Sequence, residues 1–135
     1  MLVMIAGCGR MGRHVAETLF NSDVEVLVID QSEDALENLS DSYMGLTHRG
    51  DARELAVLEE AGIKRADIVL ACTGNENTNL LVADVARNIY EVPEVLIRTL
   101  DPAKKEFFEK MGFKAVCPVL LGASAVLDVL GSAQQ

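Results

Sequence analysis

The sequence predicts an α/β protein built on a doubly wound, six-stranded parallel sheet, and three observations carry that expectation. Apolar runs alternate with segments of helical period six times along 135 residues. That alternation calls for parallel strands, right-handed crossovers and helices on both faces. The first run, Met1-Leu-Val-Met-Ile-Ala6, leads straight into a G-x-G-x-x-G loop formed by Gly7, Gly9 and Gly12. The second run, Val24-Glu-Val-Leu-Val-Ile29, ends in Asp30, and 30 − 12 = 18 residues separate that acid from the last glycine. The spacing is close to the roughly 20 residues at which an acidic group meets a ribose in dinucleotide-binding units. Strand, glycine loop, helix, strand and terminal acid in this order predict a Rossmann-type single domain with strand order 3-2-1-4-5-6.

Taken along the chain, strands are expected near 1–6, 24–29, 44–48, 66–71, 94–98 and 114–117, and helices near 11–21, 33–41, 52–61, 77–90, 102–110 and 119–130. The unbroken apolar character of the first run fits a strand buried on both faces. Ser32 is placed to cap the second helix, and Asp51 with Glu54 resembles a capping box for the third. Asn75 is placed to cap the fourth, and Asp101-Pro102 sets a capping acid before an N1 proline at the fifth. Residues 1–135 read as one domain, with a core over 1–118, a terminal helix over 119–131 and a frayed tail at Ser132-Ala-Gln-Gln135.

The terminal segment from Val119 to Leu130 carries one charge, Asp128, in twelve positions. One face of such a helix serves its own domain, and apolar residues around the rest imply a second buried surface. A homodimer contact through residues 119–130 is therefore expected. Gly122, Ala123, Ser124 and Ala125 would allow close approach, while Leu120, Leu121, Leu127 and Leu130 would be covered by the partner. Removing residues 119–135 is expected to uncover the fifth and sixth strands.

Composition narrows the function. Half of the residues are hydrophobic, only 4% are aromatic and there is no Trp, which suits an aliphatic core and argues against stacking on nucleic acid. A net charge of −9 also disfavours a polyanionic partner. Cys8, Cys72 and Cys117 are too scattered for a zinc pattern and odd in number, which fits a reducing, cytoplasmic setting. Cys8 and Cys72 follow strands and read as small buried hydrophobes, or as thiols facing a ligand crevice. His14 and His48 have no ligating cluster around them. No apolar run approaches the roughly 18 residues of a membrane span, so no direct membrane insertion is expected.

In this architecture a ligand lies beyond the carboxyl ends of the strands, at the point where strand order reverses. Gly7, Gly9 and Gly12 then supply the tight turn, the backbone approach to a pyrophosphate and the close helix packing, with Cys8, Arg10 and Met11 between them. Asp30 faces the ribose and Gln31 follows it with no positive charge, which disfavours a 2′-phosphate. Gly50 permits approach of a planar base, and Asp51 either accepts from an adenine amine or caps the next helix, with Ala52 beside it. Thr73, Gly74 and Asn75 open the loop after the fourth strand, while Asn77 and Asn79 read as helix-start residues. Arg98 is either a phosphate ligand or the partner of Asp101, and Arg13 meets phosphate or lies on a solvated helix face. A hydride-transfer enzyme would need an acid/base group and a substrate pocket, and no Ser-x-x-x-Lys or Tyr-x-x-x-Lys pair occurs. The chain therefore reads as a nucleotide-binding module, with a small NAD-dependent oxidoreductase or a fragment of one as the rival.

The ordered set of the glycine loop, Val-Ile-Asp30, Gly50-Asp51-Ala52, Ala-Asp67-Ile-Val, Cys-Thr73-Gly74-Asn-Glu-Asn-Thr-Asn79-Leu, Ile-Arg98 and Glu109-Lys-Met-Gly-Phe113 resembles the RCK/KTN family, also called the TrkA N-terminal domain. The resemblance covers nearly the whole chain. It implies a cytoplasmic regulatory subunit, not an enzyme, at the inner face of the membrane. Such a subunit would gate a potassium channel or transporter in response to NAD(H), or to ATP or ADP. It implies that Gly7, Gly9, Arg10 and Gly12 hold phosphate, Asp30 the ribose, Asp51 and Ala52 the adenine end, and Thr73, Gly74 and Arg98 the remainder. It also implies a homo-oligomer, a dimer or a ring of dimers, built through the final helix. Many members place a glutamate after the proline that ends the sixth strand, whereas Pro118 is followed here by Val119. Full-length members carry a second, C-terminal domain.

Overall fold

The computed structural model describes residues 1–19 and 23–133, with the side chain of Ala133 outside the description. Six parallel strands form one sheet in the order β3-β2-β1-β4-β5-β6, as expected. They are β1 (Leu2–Ala6), β2 (Glu25–Asp30), β3 (Leu46–Arg49), β4 (Ile68–Ala71), β5 (Glu94–Arg98) and β6 (Lys114–Val116). The helices between them are α1 (Arg10–Leu19), α2 (Glu33–Glu37), α3 (Leu55–Ala61), α4 (Glu76–Asn88) and α5 (Pro102–Lys110), and α6 (Pro118–Ala133) ends the chain. The expected continuation of α1 to residue 21 lies outside the described residues.

Alternation along the central strands explains why their sequences are apolar throughout. Met4, Ala6, Leu27, Ile29 and Val69 point to one face and pack with Leu58, Val82 and Phe108 from α3, α4 and α5. Val3, Ile5, Val26, Val28 and Leu70 point to the other and pack with Ala16 of α1 and with Leu36 of α2. Ala6 stands opposite Ile29 on one side and Ala71 on the other, so the ends of β1, β2 and β4 are level. That alignment places the three following loops at one edge of the sheet.

Three caps work as the sequence implies. Ser32 accepts from Ala35 N, Asn75 from Thr78 N and Asp101 from Ala103 N, with Pro102 at N1. The third does not. Asp51 is turned onto Arg53, so α3 begins at Leu55 rather than near 52, with Glu54 as an N-cap that makes no side-chain bond. The second helix is also shorter than expected, ending at Glu37. A 3-10 turn, Ile63–Arg65, follows Gly62, whose φ of 103° closes α3 in the left-handed conformation.

The largest departure is α6. It was expected to bury one face against its own domain, yet every residue from Val119 to Ser132 is exposed. Leu121, Leu127 and Val129 are 63%, 64% and 69% exposed. No residue of the helix beyond Pro118 is buried on its own domain among the described residues.

Candidate functional site

At the level ends of β1, β2 and β4 lies a cavity of about 410 Å³. The topological switch point falls here, where crossovers leave β1 in one direction and β4 in the other. Its wall includes Gly7, Cys8, Gly9, Asp30, Gln31, Gly50, Asp51, Ala52, Thr73, Gly74, Asn75 and Arg98.

The three glycines of the first loop have three different surroundings. Gly7 has φ +115°, and a Cβ there would lie 2.7 Å from the Cys72 carbonyl oxygen. A Cβ at Gly12 would lie 2.0 Å from the Gly7 carbonyl oxygen, so α1 reaches the strand only because that position carries no side chain. A Cβ at Gly9 would meet nothing within 4 Å. The space beside Gly9 opens onto the cavity, next to the N-terminus of α1, where unpaired N–H groups favour an anion.

Asp30 closes the opposite side of this loop. One carboxylate oxygen accepts from Cys8 N and the other from Ser32 N, both at 2.8 Å. Each oxygen has a second lone pair. The carboxylate is thus fixed by backbone and retains acceptor capacity toward the cavity, as a pair of vicinal hydroxyls requires.

Asp51 is differently engaged. Its two oxygens accept from Arg53 N at 2.9 Å, from Nε at 3.0 and 3.1 Å and from an Nη at 2.7 Å. The Arg53 side-chain hydrogen bonds hold the Asp51 carboxyl below its ordinary range. The open alternatives for this residue are both altered: it lines the cavity, but it caps no helix and its acceptors face Arg53.

Beyond β4, Thr73, Arg98 and Asn79 form one network. Thr73 N and its hydroxyl donate to Asn79 Oδ1 at 2.7 and 2.6 Å. Asn79 Nδ2 donates to Thr73 O at 3.1 Å and to Arg98 O at 3.4 Å. An Arg98 Nη donates to Thr73 O at 2.9 Å, while its Nε is buried with no hydrogen-bond partner among the described residues. Asp101, the alternative partner for Arg98, is occupied as the cap of α5.

Cys8 and Cys72 both line the cavity, and both thiols are engaged as hydrogen-bond donors. Cys8 donates to Ala35 O at 3.2 Å and Cys72 to Gly7 O at 3.6 Å. Burial, aided by nearby Asp30, raises the Cys8 pKa, and burial pushes Cys72 up to about 11. Both are protonated at neutral pH, and the nucleophilic form is the thiolate.

Three expected contacts fall outside the cavity wall. Arg10 is exposed beside the loop, Met11 packs against the core cluster behind it, and Gly12 is buried between helix and strand. The wall also contains Ile29, Ala35, Cys72 and Thr78. Ile29 and Cys72 sit at strand ends, which is a legible signal; Ala35 and Thr78 lie in first helical turns and carry none.

A family model described as the TrkA-N domain matches residues 3–118. A Trk system potassium uptake protein TrkA homolog of Pyrococcus abyssi is 34% identical over 111 residues, covering 82% of this chain and 49% of the relative. The chain thus spans about half the length of that curated relative. The Kef CTD of Shewanella denitrificans in an AMP-bound form superposes with a TM-score of 0.80 at 23% identity, over 97% of this chain and 82% of the other. The GsuK channel bound to NAD superposes with a TM-score of 0.81 at 24% identity, over 98% of this chain and 24% of the other.

Proposed function

The chain belongs to the TrkA-N domain family, and from that premise we propose that it is a nucleotide-sensing regulatory domain. It binds NAD(H), with ATP or ADP as the alternative, and gates a membrane potassium channel or transporter from the cytoplasmic side. The observation that carries this reading is the pairing of an open Gly9 cradle with a backbone-fixed Asp30 on one cavity wall. Phosphate is assigned to the loop from Gly7 to Gly12 and to Arg98, ribose to Asp30, and the adenine end to Gly50, Asp51 and Ala52. The AMP and NAD named with two structural neighbours fit the same assignment.

NAD(H) is favoured on charge. Among the described wall residues the one cationic side chain is Arg98, against Asp30 and Asp51. A pyrophosphate suits that balance better than a triphosphate. A 2′-phosphate would meet Asp30. Arg49, which reaches the Gln31 carbonyl at 3.3 Å, is paired with Glu33 at 3.1 Å. Calorimetric titration should find NADH binding at least tenfold tighter than NADPH; equal affinities would mean that Asp30 does not face the ribose. Mass spectrometry of nucleotide released from the purified protein identifies the ligand.

The same wall supports a regulatory rather than catalytic role. Its carboxylates are held by backbone N–H groups and by Arg53, and its thiols are protonated, so no group is set for proton transfer. Loss of NADH absorbance on adding candidate substrates would favour the oxidoreductase reading instead. Ligands would act through differential affinity for two states of an assembly. The exposed apolar α6 supports a homodimer, alone or within a ring, because an apolar helix left in water is an unpartnered surface. Among the described residues no helix is long and apolar enough to cross a membrane. Light scattering should find at least dimers, and deletion of residues 118–135 should give monomers of nearly unchanged Tm. An intact chain that is monomeric at high micromolar concentration would overturn the assembly.

A further inference from the structure

Asn79 is the fourth residue of α4 and is 1% exposed. Its amide makes four hydrogen bonds: Oδ1 accepts the N–H and the hydroxyl of Thr73, and Nδ2 donates to the carbonyls of Thr73 and Arg98. Two acceptances and two donations are all that a primary amide offers. Asn79 therefore has nothing left for a ligand, and it does not line the cavity. What it grips does. Thr73 and Arg98 both face the cavity, and the Thr73 carbonyl is shared between Asn79 Nδ2 and an Arg98 Nη.

This arrangement explains how Arg98 is held with its Nε buried and, among the described residues, unpartnered. A buried N–H without a partner is costly, so an unrestrained guanidinium would rotate toward another acceptor. The strand carbonyl of Arg98 is tied to Asn79, and one Nη is tied to a carbonyl that Asn79 also holds. Backbone and head group are fixed against one reference point.

We infer that Asn79 is a positioning residue that holds the Arg98 guanidinium and the Thr73 loop ready to receive the phosphate of a bound nucleotide. This rests on the nucleotide reading given above. Its consequence is selective, because Arg98 is the one cationic side chain on the described wall while Asp30 lies at the far side, on β2. Misaiming Arg98 removes attraction for phosphate and leaves adenosine contacts in place.

The test compares ADP with adenosine by calorimetry, in wild type and in Asn79→Leu and Thr73→Val. Leucine is close to asparagine in volume and makes none of the four hydrogen bonds, and it adds no charge beside Arg98. ADP affinity should fall about tenfold or more while adenosine affinity stays within about twofold. Thr73→Val removes the hydroxyl's bond to Asn79 Oδ1 together with its contacts to Asn75 O and Asn75 N, leaves the Thr73 N–H bond to Asn79 in place, and should move the ratio in the same direction by less; it carries the test if Asn79→Leu does not fold. A merely structural role would weaken both ligands in parallel or neither, and that result in the folded variants overturns the assignment. Wild-type protein that binds none of NADH, ADP and adenosine overturns the nucleotide reading and this role with it; if it binds NADH and not ADP, NADH takes the place of ADP in the comparison. Tight wild-type ADP binding with an unchanged ratio in the variants overturns only the role of Asn79.

Discussion

The two loops that face each other across the switch point occupy equivalent places in successive halves of the sheet, yet they are held by different means. The β1–α1 loop is shaped by backbone packed on backbone: Gly7 and Gly12 sit where any side chain would strike a carbonyl. The β4–α4 loop is shaped by side chains, with Asn79 gripping Thr73, Asn75 capping α4 and Glu76 reaching over to the β5–α5 loop. The first is rigid because nothing larger fits, and the second because its polar groups are satisfied. Sterically defined loops should fail abruptly on substitution, and hydrogen-bonded loops by degrees.

The sharpest break in this comparison is Gly12→Ala. A methyl 2.0 Å from the Gly7 carbonyl oxygen and 3.1 Å from the Cys72 sulfur can be relieved only by moving α1 away from the strand. Overpacking of this kind typically costs 1–3 kcal/mol, and backbone opposite the methyl puts this case at about 3 kcal/mol or more. Urea unfolding should show the unfolding free energy falling by that amount, with nucleotide affinity lost as a consequence. A Gly12→Ala protein of wild-type stability would show that the loop is not sterically fixed.

Gly9→Ala separates cradle from scaffold within the same loop. Nothing lies within 4 Å of the added methyl, so Tm should change by less than about 2 °C. The methyl occupies the space assigned to a pyrophosphate, and NADH affinity should fall about tenfold or more. A variant that keeps both its Tm and its affinity shows that the phosphate lies elsewhere.

This contrast also explains what could be read from the sequence. A steric loop leaves a pattern, because only glycine is tolerated, and Gly7, Gly9 and Gly12 announce themselves together with Asp30. A loop held by hydrogen bonds uses residues that have other common roles, and Asn79 reads as one more polar residue in a helix start. Asp51 is the converse: it carries a capping signal, but two residues on Arg53 offers a bidentate partner and takes the carboxylate. The terminal helix shows a third limit. Apolar spacing states that Leu121 and Leu127 need cover and does not state that their own domain withholds it.

The smallest expected effect lies at Glu76, where the β4–α4 loop meets the β5–α5 loop. Its carboxylate accepts from the Thr99 hydroxyl at 2.5 Å, from Leu100 N at 2.8 Å and from Lys104 Nζ at 3.1 Å. The Thr99 hydrogen bond lowers the Glu76 pKa from its ordinary 4.5, helped by Leu100 and Lys104 and opposed by partial burial. A carboxyl whose folded pKa lies below its unfolded value contributes stability that is present above about pH 4.5 and is lost as the pH falls through the lower, folded value. Glu76→Gln retains an acceptor for Thr99 and Leu100 and gives up the charge facing Lys104. That pair is partly solvated, with side chains 29% and 46% exposed, so the difference at neutral pH should be about 0.5–1 kcal/mol. Unfolding free energies of the two proteins from urea titration should differ by this amount at pH 7 and converge as the pH is lowered below 4.5. A gap that persists unchanged at pH 3 would mean that Glu76 stabilises the loop by its shape and not by its charge, making the second loop as steric as the first.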